Sequence, residues 1–485
     1  MRDLGSEIRR YYEEVVERVE TDHPVTTPKK RPSWTVGGAV AAAAAIVTVL
    51  VFGLLTLVSP SESEPADSVP PPTTFESTDT TEGIPVVLPP SVIVLADGTE
   101  IASIREEGPI PSVSSYESLV NYVLRELTIN PDYWPTGVDG VEALGLDPHI
   151  QTGLTIQLAV DPTVQEIVDS VVSVWHDDSE TFISVVVVDN SNGQVLATGS
   201  TSGVADDVFD PERRLPAASL AQVYTTIAAL ESGIALDSIW DASSPQSFSS
   251  PFWSGEWIVR NAGSPREPIT LYQAVYLAVN TVFAGVGTEL GAEPIIDAAH
   301  RLGVDLTGLR TLTVPQPHPD GGVTPLEAVS IGAGDMSTFE AAAMFTTLSR
   351  EGVQTTPVLI ESITNASGQV IYQATVPIET TVDPDVVEAV RVPLSDVTRI
   401  GTATGAFTGF PDINRIGKTA STGSFAVAWY VGSTDQYTAA VAVGRLDGGP
   451  LTDIEFNGQM YTRVFGGSVP APIWVEIITQ LIEDK

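Results

Sequence analysis

Cysteine is absent from the 485 residues, which excludes a disulfide framework, a thiolate zinc site and a cysteine nucleophile. Basic residues are scarce, with 23 Lys and Arg against 62 Asp and Glu for a formal net charge of -39. That balance argues against binding nucleic acid through phosphate contacts and against adhesion to an anionic membrane surface. It reads as a heavily hydrated acidic exterior. Histidine is sparse too. His23, His149, His176, His300 and His318 are scattered, none falls in a motif that would give it a chemical role, and neither a metal nor a cofactor is expected.

The length and a hydrophobic content of 43% allow more than one domain and a sizeable core. Residues 1–33 are charged and mixed and read as a solvated tail. Residues 34–58 are almost wholly apolar and carry no charge. At about 1.5 Å per residue such a run exceeds the ~30 Å hydrocarbon core, so a single transmembrane helix is predicted. Lys29, Lys30 and Arg31 stand directly before it, and no basic residue follows until Arg105. The positive-inside rule therefore places the N-terminus in the cytoplasm and the remainder outside. The long charged leader favours an uncleaved anchor over a cleaved signal peptide. Residues 59–90, rich in Pro, Ser, Thr and Glu, form an extended spacer that cannot bury a core.

Ordered sequence resumes in a small region, 91–160, with a hairpin signal at Asp97-Gly98 and helical spacing from Ser118 to Leu127. Gly153 to Val172 reads as a strand and helix, and 181–200 as two strands about an Asn192-Gly193 turn. From Arg214 to Gly233 the chain runs RLPAASLAQVYTTIAALESG. Val223, Ile227 and Leu230 recur at helical spacing, and Gly233 closes the helix. Ser219 falls in the first turn, and Gln222, on the same face, lies within reach of its hydroxyl. A lysine there would make a base for a serine nucleophile, whereas an amide cannot take the proton at neutral pH.

Further on, Trp257 to Gly291 has helical period in its latter half, with Thr270 as N-cap, and contains Ala278-Val279-Asn280. Gly322 to Val353 is helical and holds a Gly-Ala-Gly that lacks the third glycine and the preceding strand of a dinucleotide loop, so packing explains it better. Lys418-Thr419-Ala420, followed by Ser421 and Thr422, opens a series of strands that includes Trp429, Tyr430 and Val431-Gly432. Pro470 to Glu483 closes the chain as a helix.

Taken in order, these segments resemble the penicillin-binding transpeptidases. That family carries Pro-Gly-Ser-x-x-Lys before an apolar helix, Ser-x-Asn between helices and Lys-Thr-Gly on a strand lining the cleft. Order and spacing agree from about Gly153 onward, and Asp161-Pro162 and Gln165 match the segment by which class A members enter their transpeptidase domain. Their glycosyltransferase, with its Glu-Asp pair before an aromatic residue and a histidine, has no counterpart here. The resemblance implies an α+β fold of the serine β-lactamase and D,D-transpeptidase type over 161–485. Its antiparallel sheet would join the early hairpin to the late strands, with helices on both faces and the serine helix beside it.

The resemblance also implies roles. Ser219 takes the nucleophile position, Gln222 replaces the general-base lysine, and Ala278 replaces the serine that relays a proton toward the leaving amine. Asn280, Lys418, Thr419, Ala420, Ser421 and Thr422 fall at substrate-binding positions, with Lys418 facing the substrate carboxylate and Asn280 its amide. The backbone N–H groups of Ser219 and Ser421 would form the oxyanion hole. Ala420 sets a methyl where the family has glycine, which narrows the cleft. The retained residues hold a ligand, and two of the three lost ones move protons. The expectation is a membrane-anchored, extracytoplasmic protein of bacterial cell-wall synthesis, working beside divisome or elongasome proteins. It would bind peptidoglycan stem peptide or a β-lactam and acylate poorly or not at all. Two alternatives stay open: a working D,D-transpeptidase, carboxypeptidase or β-lactamase-type hydrolase whose base is a carboxylate or a displaced lysine, and an interaction module with a vestigial groove.

Overall fold

The computed structural model describes residues 89–483 apart from 106–107, 112–115, 135–152, 177–179, 201–212, 251–252, 264–266, 312–315, 318–321 and 377. The expected tail, transmembrane helix and nearly all of the spacer lie outside the described residues. Among those described, no helix is long and apolar enough to cross a membrane.

The described chain begins with β1 (Ser91–Val94), β2 (Glu100–Arg105) and β3 (Gly108–Pro111), followed by α1 (Glu117–Ile129) and β4 (Thr155–Leu158). The β1–β2 hairpin turns at Asp97-Gly98, where Gly98 takes φ 86° and the Asp97 carboxylate accepts from the Thr99 N–H at 2.8 Å. Next comes α2 (Pro162–Trp175), started by Asp161, whose carboxylate accepts from the N–H groups of Thr163 and Val164 at 2.8 and 3.1 Å. Its apolar face, Val164, Val168, Val171 and Trp175, is buried against β5 (Thr181–Asp189) and β6 (Val195–Ser200). The helix comes so close to β6 that a Cβ at Gly199 would lie 2.4 Å from Val168.

The middle of the chain supplies β7 (Leu215–Pro216), a 3-10 turn (Ala218–Leu220), α3 (Ala221–Glu231), α4 (Leu271–Leu277), α5 (Asn280–Leu290), α6 (Ala292–Arg301), β8 (Asp335–Met336) and α7 (Thr338–Ser349). It ends with β9 (Ile360–Thr364), β10 (Val370–Gln373), α8 (Pro384–Arg399), β11 (Arg415–Ser421), β12 (Val427–Thr434), β13 (Tyr437–Arg445) and α9 (Pro470–Glu483).

Two sheets organise these elements. The first is a five-stranded antiparallel sheet in the order β11–β12–β13–β5–β6. It joins the early hairpin to the late strands with helices on both faces, as the sequence led us to expect. The run TFISVVVVD is buried at eight successive positions because both faces of β5 are covered. Alternate residues divide between two cores: Phe182, Val186 and Val188 pack with α3 and α7, whereas Ile183, Val185 and Val187 pack with α2 and α9. Each fully buried valine contributes about 1.5–3 kcal/mol.

The second sheet has six strands in the order β10–β9–β4–β1–β2–β3, with β1 and β4 parallel and β9 antiparallel to β4. It thus takes strands from both sides of residue 160. One core runs through Ile93, Val123, Ile156, Val186, Ile227 and Ile363, so region 91–160 shares its packing with the rest.

Candidate active site

The serine turn is built by the chain on either side of it. Leu215 and Pro216 pair with Met336 and Asp335, and the Ala217 N–H donates to the Gly334 carbonyl at 2.9 Å. From the neighbouring sheet the Trp429 indole N–H donates to the Pro216 carbonyl at 3.0 Å. Ala218 then takes φ 45°, a left-handed conformation that costs an alanine about 1–2 kcal/mol. Gly332, at φ 101°, lies directly against it, and a Cβ at that glycine would fall 2.2 Å from the Ala218 carbonyl oxygen. The positive φ stops the α-helix from extending backward. Ser219 therefore sits in the 3-10 turn ahead of α3, and not in the α-helix's own first turn as the sequence pattern suggested. It is 8% exposed, and its hydroxyl makes no hydrogen bond among the described residues.

Gln222 is fully buried. Its Nε2 donates to Asn280 Oδ1 at 3.1 Å, and Asn280 Nδ2 donates to the Arg260 carbonyl at 3.3 Å. A backbone carbonyl can only accept, so this chain fixes the orientation of both amides. Gln222 Oε1 is left as a buried acceptor with no partner among the described residues. Asn280 opens α5, one residue after the corner at Ala278-Val279. Thr270 and Gln273 start α4 with reciprocal side-chain to backbone bonds, and Ala278 ends it in the left-handed conformation, φ 57°. Asn261 braces the corner, accepting from the Thr281 N–H at 2.9 Å and donating to its hydroxyl at 3.0 Å.

Lys418 lies on β11, the outer strand of the sheet, which packs against the serine turn. It was expected to offer a positive charge to a substrate carboxylate. The structure instead buries it completely, with Nζ donating to the Val275 carbonyl of α4 at 2.8 Å. Thr419 Oγ1 pairs with Thr402 Oγ1 at 2.5 Å. The Ala420 methyl is buried in the core that also holds Ala217, Ala218 and Trp429. The Ser421 hydroxyl accepts from the Gly466 N–H at 3.0 Å, and that of Thr422 from the Val427 N–H at 3.2 Å. Gln222 and Asn280 thus meet directly, Lys418 reaches the helix that ends at Ala278, and the strand bearing Lys418 to Ser421 flanks the serine turn. Arg214, Gly332 and Gly466 also shape the site. Of these, only Gly332 left a trace in the sequence, in the Gly-Ala-Gly assigned to packing.

A family profile described as the penicillin binding protein transpeptidase domain matches residues 183–446, more than half of the chain. The chain belongs to the penicillin-binding transpeptidase family. It is similar to penicillin-binding protein 1A of Mycobacterium tuberculosis, 26% identical over 337 residues that make up 66% of this chain and 39% of the relative. It is also similar to penicillin-binding protein 1B of Escherichia coli, 25% identical over 298 residues, 60% of this chain and 34% of that one. The chain spans less than half the length of these curated relatives. Its fold resembles that of the PonA1 protein of Mycobacterium tuberculosis in complex with penicillin V, with TM-score 0.59 at 22% identity over 75% of this chain and 93% of that one. The crystal structure of penicillin-binding protein 1A from Haemophilus influenzae matches with TM-score 0.60 at 13% identity, over 82% of this chain and 93% of that one.

Set against the family's motifs, the site keeps the serine, the asparagine and the lysine, and exchanges an amine for an amide at 222 and a hydroxyl for a methyl at 278. The lysine has changed character with its surroundings. Burial lowers the Lys418 ammonium from its usual 10.5 to about 7. Because the folded value lies below the unfolded one, the unfolded chain holds a proton between about pH 7 and 10 that the folded chain has released. Stability therefore rises with pH across that window, by up to about 1.4 kcal/mol per unit from this group. Lys418→Met is expected to flatten the rise. Urea unfolding of both proteins from about pH 7 to 9, below the titration of the tyrosines, measures it. Equal slopes would contradict a buried amine that loses its proton near neutrality.

Proposed function

We propose that the chain is a membrane-anchored, extracytoplasmic member of its family in bacterial peptidoglycan synthesis, one that holds a stem peptide or a β-lactam while acyl transfer is impaired or absent. The observation that carries this reading is the amide chain from Gln222 through Asn280 to the Arg260 carbonyl. Attack by Ser219 requires a group that takes its proton. Gln222 has no basic site at neutral pH, and one of its N–H groups is committed to Asn280. Ala278 carries no hydroxyl to return a proton to a leaving amine. Ligand contacts survive this loss, since Asn280 keeps a second N–H and a second lone pair, and the Ser421 hydroxyl accepts at one lone pair and keeps another. A binding subunit that stations cell-wall synthesis proteins on the stem peptide is the role such a site fits.

Incubating the full chain with a fluorescent penicillin tests the reading. The expected result is saturable binding that is lost on denaturation, with no stable adduct. Rapid stoichiometric labelling that disappears in Ser219→Ala would overturn it. Lys418 favours a second reading, an active D,D-transpeptidase or carboxypeptidase. A fully buried amine titrating near 7 has the proton affinity that a general base needs. On that reading labelling is rapid, rises as pH passes through about 7, and is lost in Lys418→Met as well as in Ser219→Ala.

A further inference from the structure

Away from the serine turn, a cavity of about 300 Å³ opens between the C-terminal half of α1, the first turns of α7 and the segment from Thr355 to Ile360. That volume is at the lower end for small-molecule sites. Its walls combine two kinds of group. Tyr122, Phe339 and Tyr133 supply aromatic rings, with Tyr122 and Phe339 6.1 Å apart and Tyr133 braced edge-on against Tyr372 at 4.8 Å. Glu126 and Glu340 supply two carboxylates. Among the described residues no lysine, arginine or histidine lines the cavity.

The two carboxylates are engaged differently. Glu126 Oε1 accepts from Asn130 Nδ2 at 2.8 Å, a neutral donor that leaves the charge uncancelled, and it forms no ion pair among the described residues. Glu340 is shared among several donors. It accepts from the N–H groups of Ser337 and Asp305 at 2.7 and 2.8 Å, and from Arg214 at 3.0 Å on both oxygens. Arg214 also donates to the Asp305 and Asp335 carbonyls, each at 2.6 Å. It directly precedes β7, the strand that leads into Ser219. Glu340 therefore lines the cavity while each of its oxygens is held by one backbone N–H and by the Arg214 that leads to the serine turn.

We propose that this cavity is a second ligand site, for a small molecule that joins a primary ammonium to a flat apolar group. The ring lies among Tyr122, Phe339 and Tyr133, and the ammonium lies beside the Glu126 and Glu340 carboxylates, attracted by their charge and by the Phe339 and Tyr133 rings, since the Arg125 guanidinium already lies over Tyr122 at 5.3 Å. An ammonium that shares Glu340 competes with Arg214 for the same oxygens, so filling the cavity loosens the clamp on the strand before Ser219. The inference is independent of whether Ser219 reacts.

2-Phenylethylamine and its uncharged analogue 2-phenylethanol are suitable probes for calorimetry and ligand-observed NMR on the full chain. The amine is expected to bind about tenfold more tightly than the alcohol. Glu126→Gln, a change at a partly exposed side chain that keeps the Asn130 contact, is expected to remove most of that difference. Hydrogen exchange over residues 213–223 is expected to quicken when the amine is bound. Equal affinity for the two probes, no binding of either at millimolar concentration, or an unchanged preference in Glu126→Gln would overturn the site. Binding without any change of exchange at 213–223 would overturn its link to the serine turn.

Discussion

Gln222→Lys is expected to raise the rate at which a labelled penicillin acylates Ser219 by about 10²- to 10⁴-fold, the usual contribution of a positioned general base. The surroundings of Gln222 suit the exchange. The new amine would find Asn280 Oδ1, which now accepts from the Gln222 amide at 3.1 Å and is oriented by the Asn280 contact to the Arg260 carbonyl. The site is fully buried, so desolvation would lower the amine's proton affinity toward neutrality, where a lysine is a usable base. The side chain lies one helical step from the serine on the same face. Adding Ala278→Ser supplies the missing relay, and because base, nucleophile and relay act as a unit the double variant is expected to exceed the product of the singles. Time courses of covalent labelling, with Ser219→Ala in each background, read the effect. Folded variants that gain nothing would show that the cleft, and not only its proton carriers, has lost competence.

The largest stability effect is expected from Gly332→Ala. Its Cβ would be forced to 2.2 Å from the Ala218 carbonyl oxygen and 2.5 Å from the Ala218 Cα and nitrogen, which are backbone atoms that no side-chain rotation can move aside. Overpacking of this kind costs about 1–3 kcal/mol, and the left-handed φ of 101° adds about 1–2 kcal/mol for a residue bearing a Cβ. Gly98→Ala separates the two contributions, since Gly98 has φ 86° but nothing within 4 Å of an added Cβ. The control should lose only the strain. Denaturant midpoints of both variants test this, and equal losses would mean that the Gly332 contact relaxes at little cost. A surviving Gly332→Ala protein should also show a displaced Ser219, visible as altered penicillin affinity.

Features carried by neighbouring residues were legible in the sequence. The apolar run at Thr181–Asp189, the Thr270 cap, the Gly98 and Gly193 turns and the closing helix at Pro470–Glu483 all follow from local pattern and backbone preference. The fold class followed from their order. What escaped was set by contacts distant in sequence. Lys418 reads as an exposed charge until α4 brings the Val275 carbonyl to it from 143 residues away. Ala218 gives no sign of its left-handed turn without Gly332 beneath it, and Arg214 gives none of its clamp without Glu340, 126 positions later. Strands β9 and β10 are not read from the sequence at all, and they complete a sheet that opens at Ser91.

That shared sheet bears on how the protein comes to be folded at all. Its first strand is made long before Ile360–Thr364, the strand that satisfies the far side of β4. Until synthesis has passed that point, β4 has an unpaired margin, and the core shared with α3 and α7 cannot close. High contact order of this sort slows folding and lengthens the time an open edge is available to other chains. A ribosome stalled between β4 and β9 would release a chain prone to sticking, and the whole described body should mature in a single late, cooperative step.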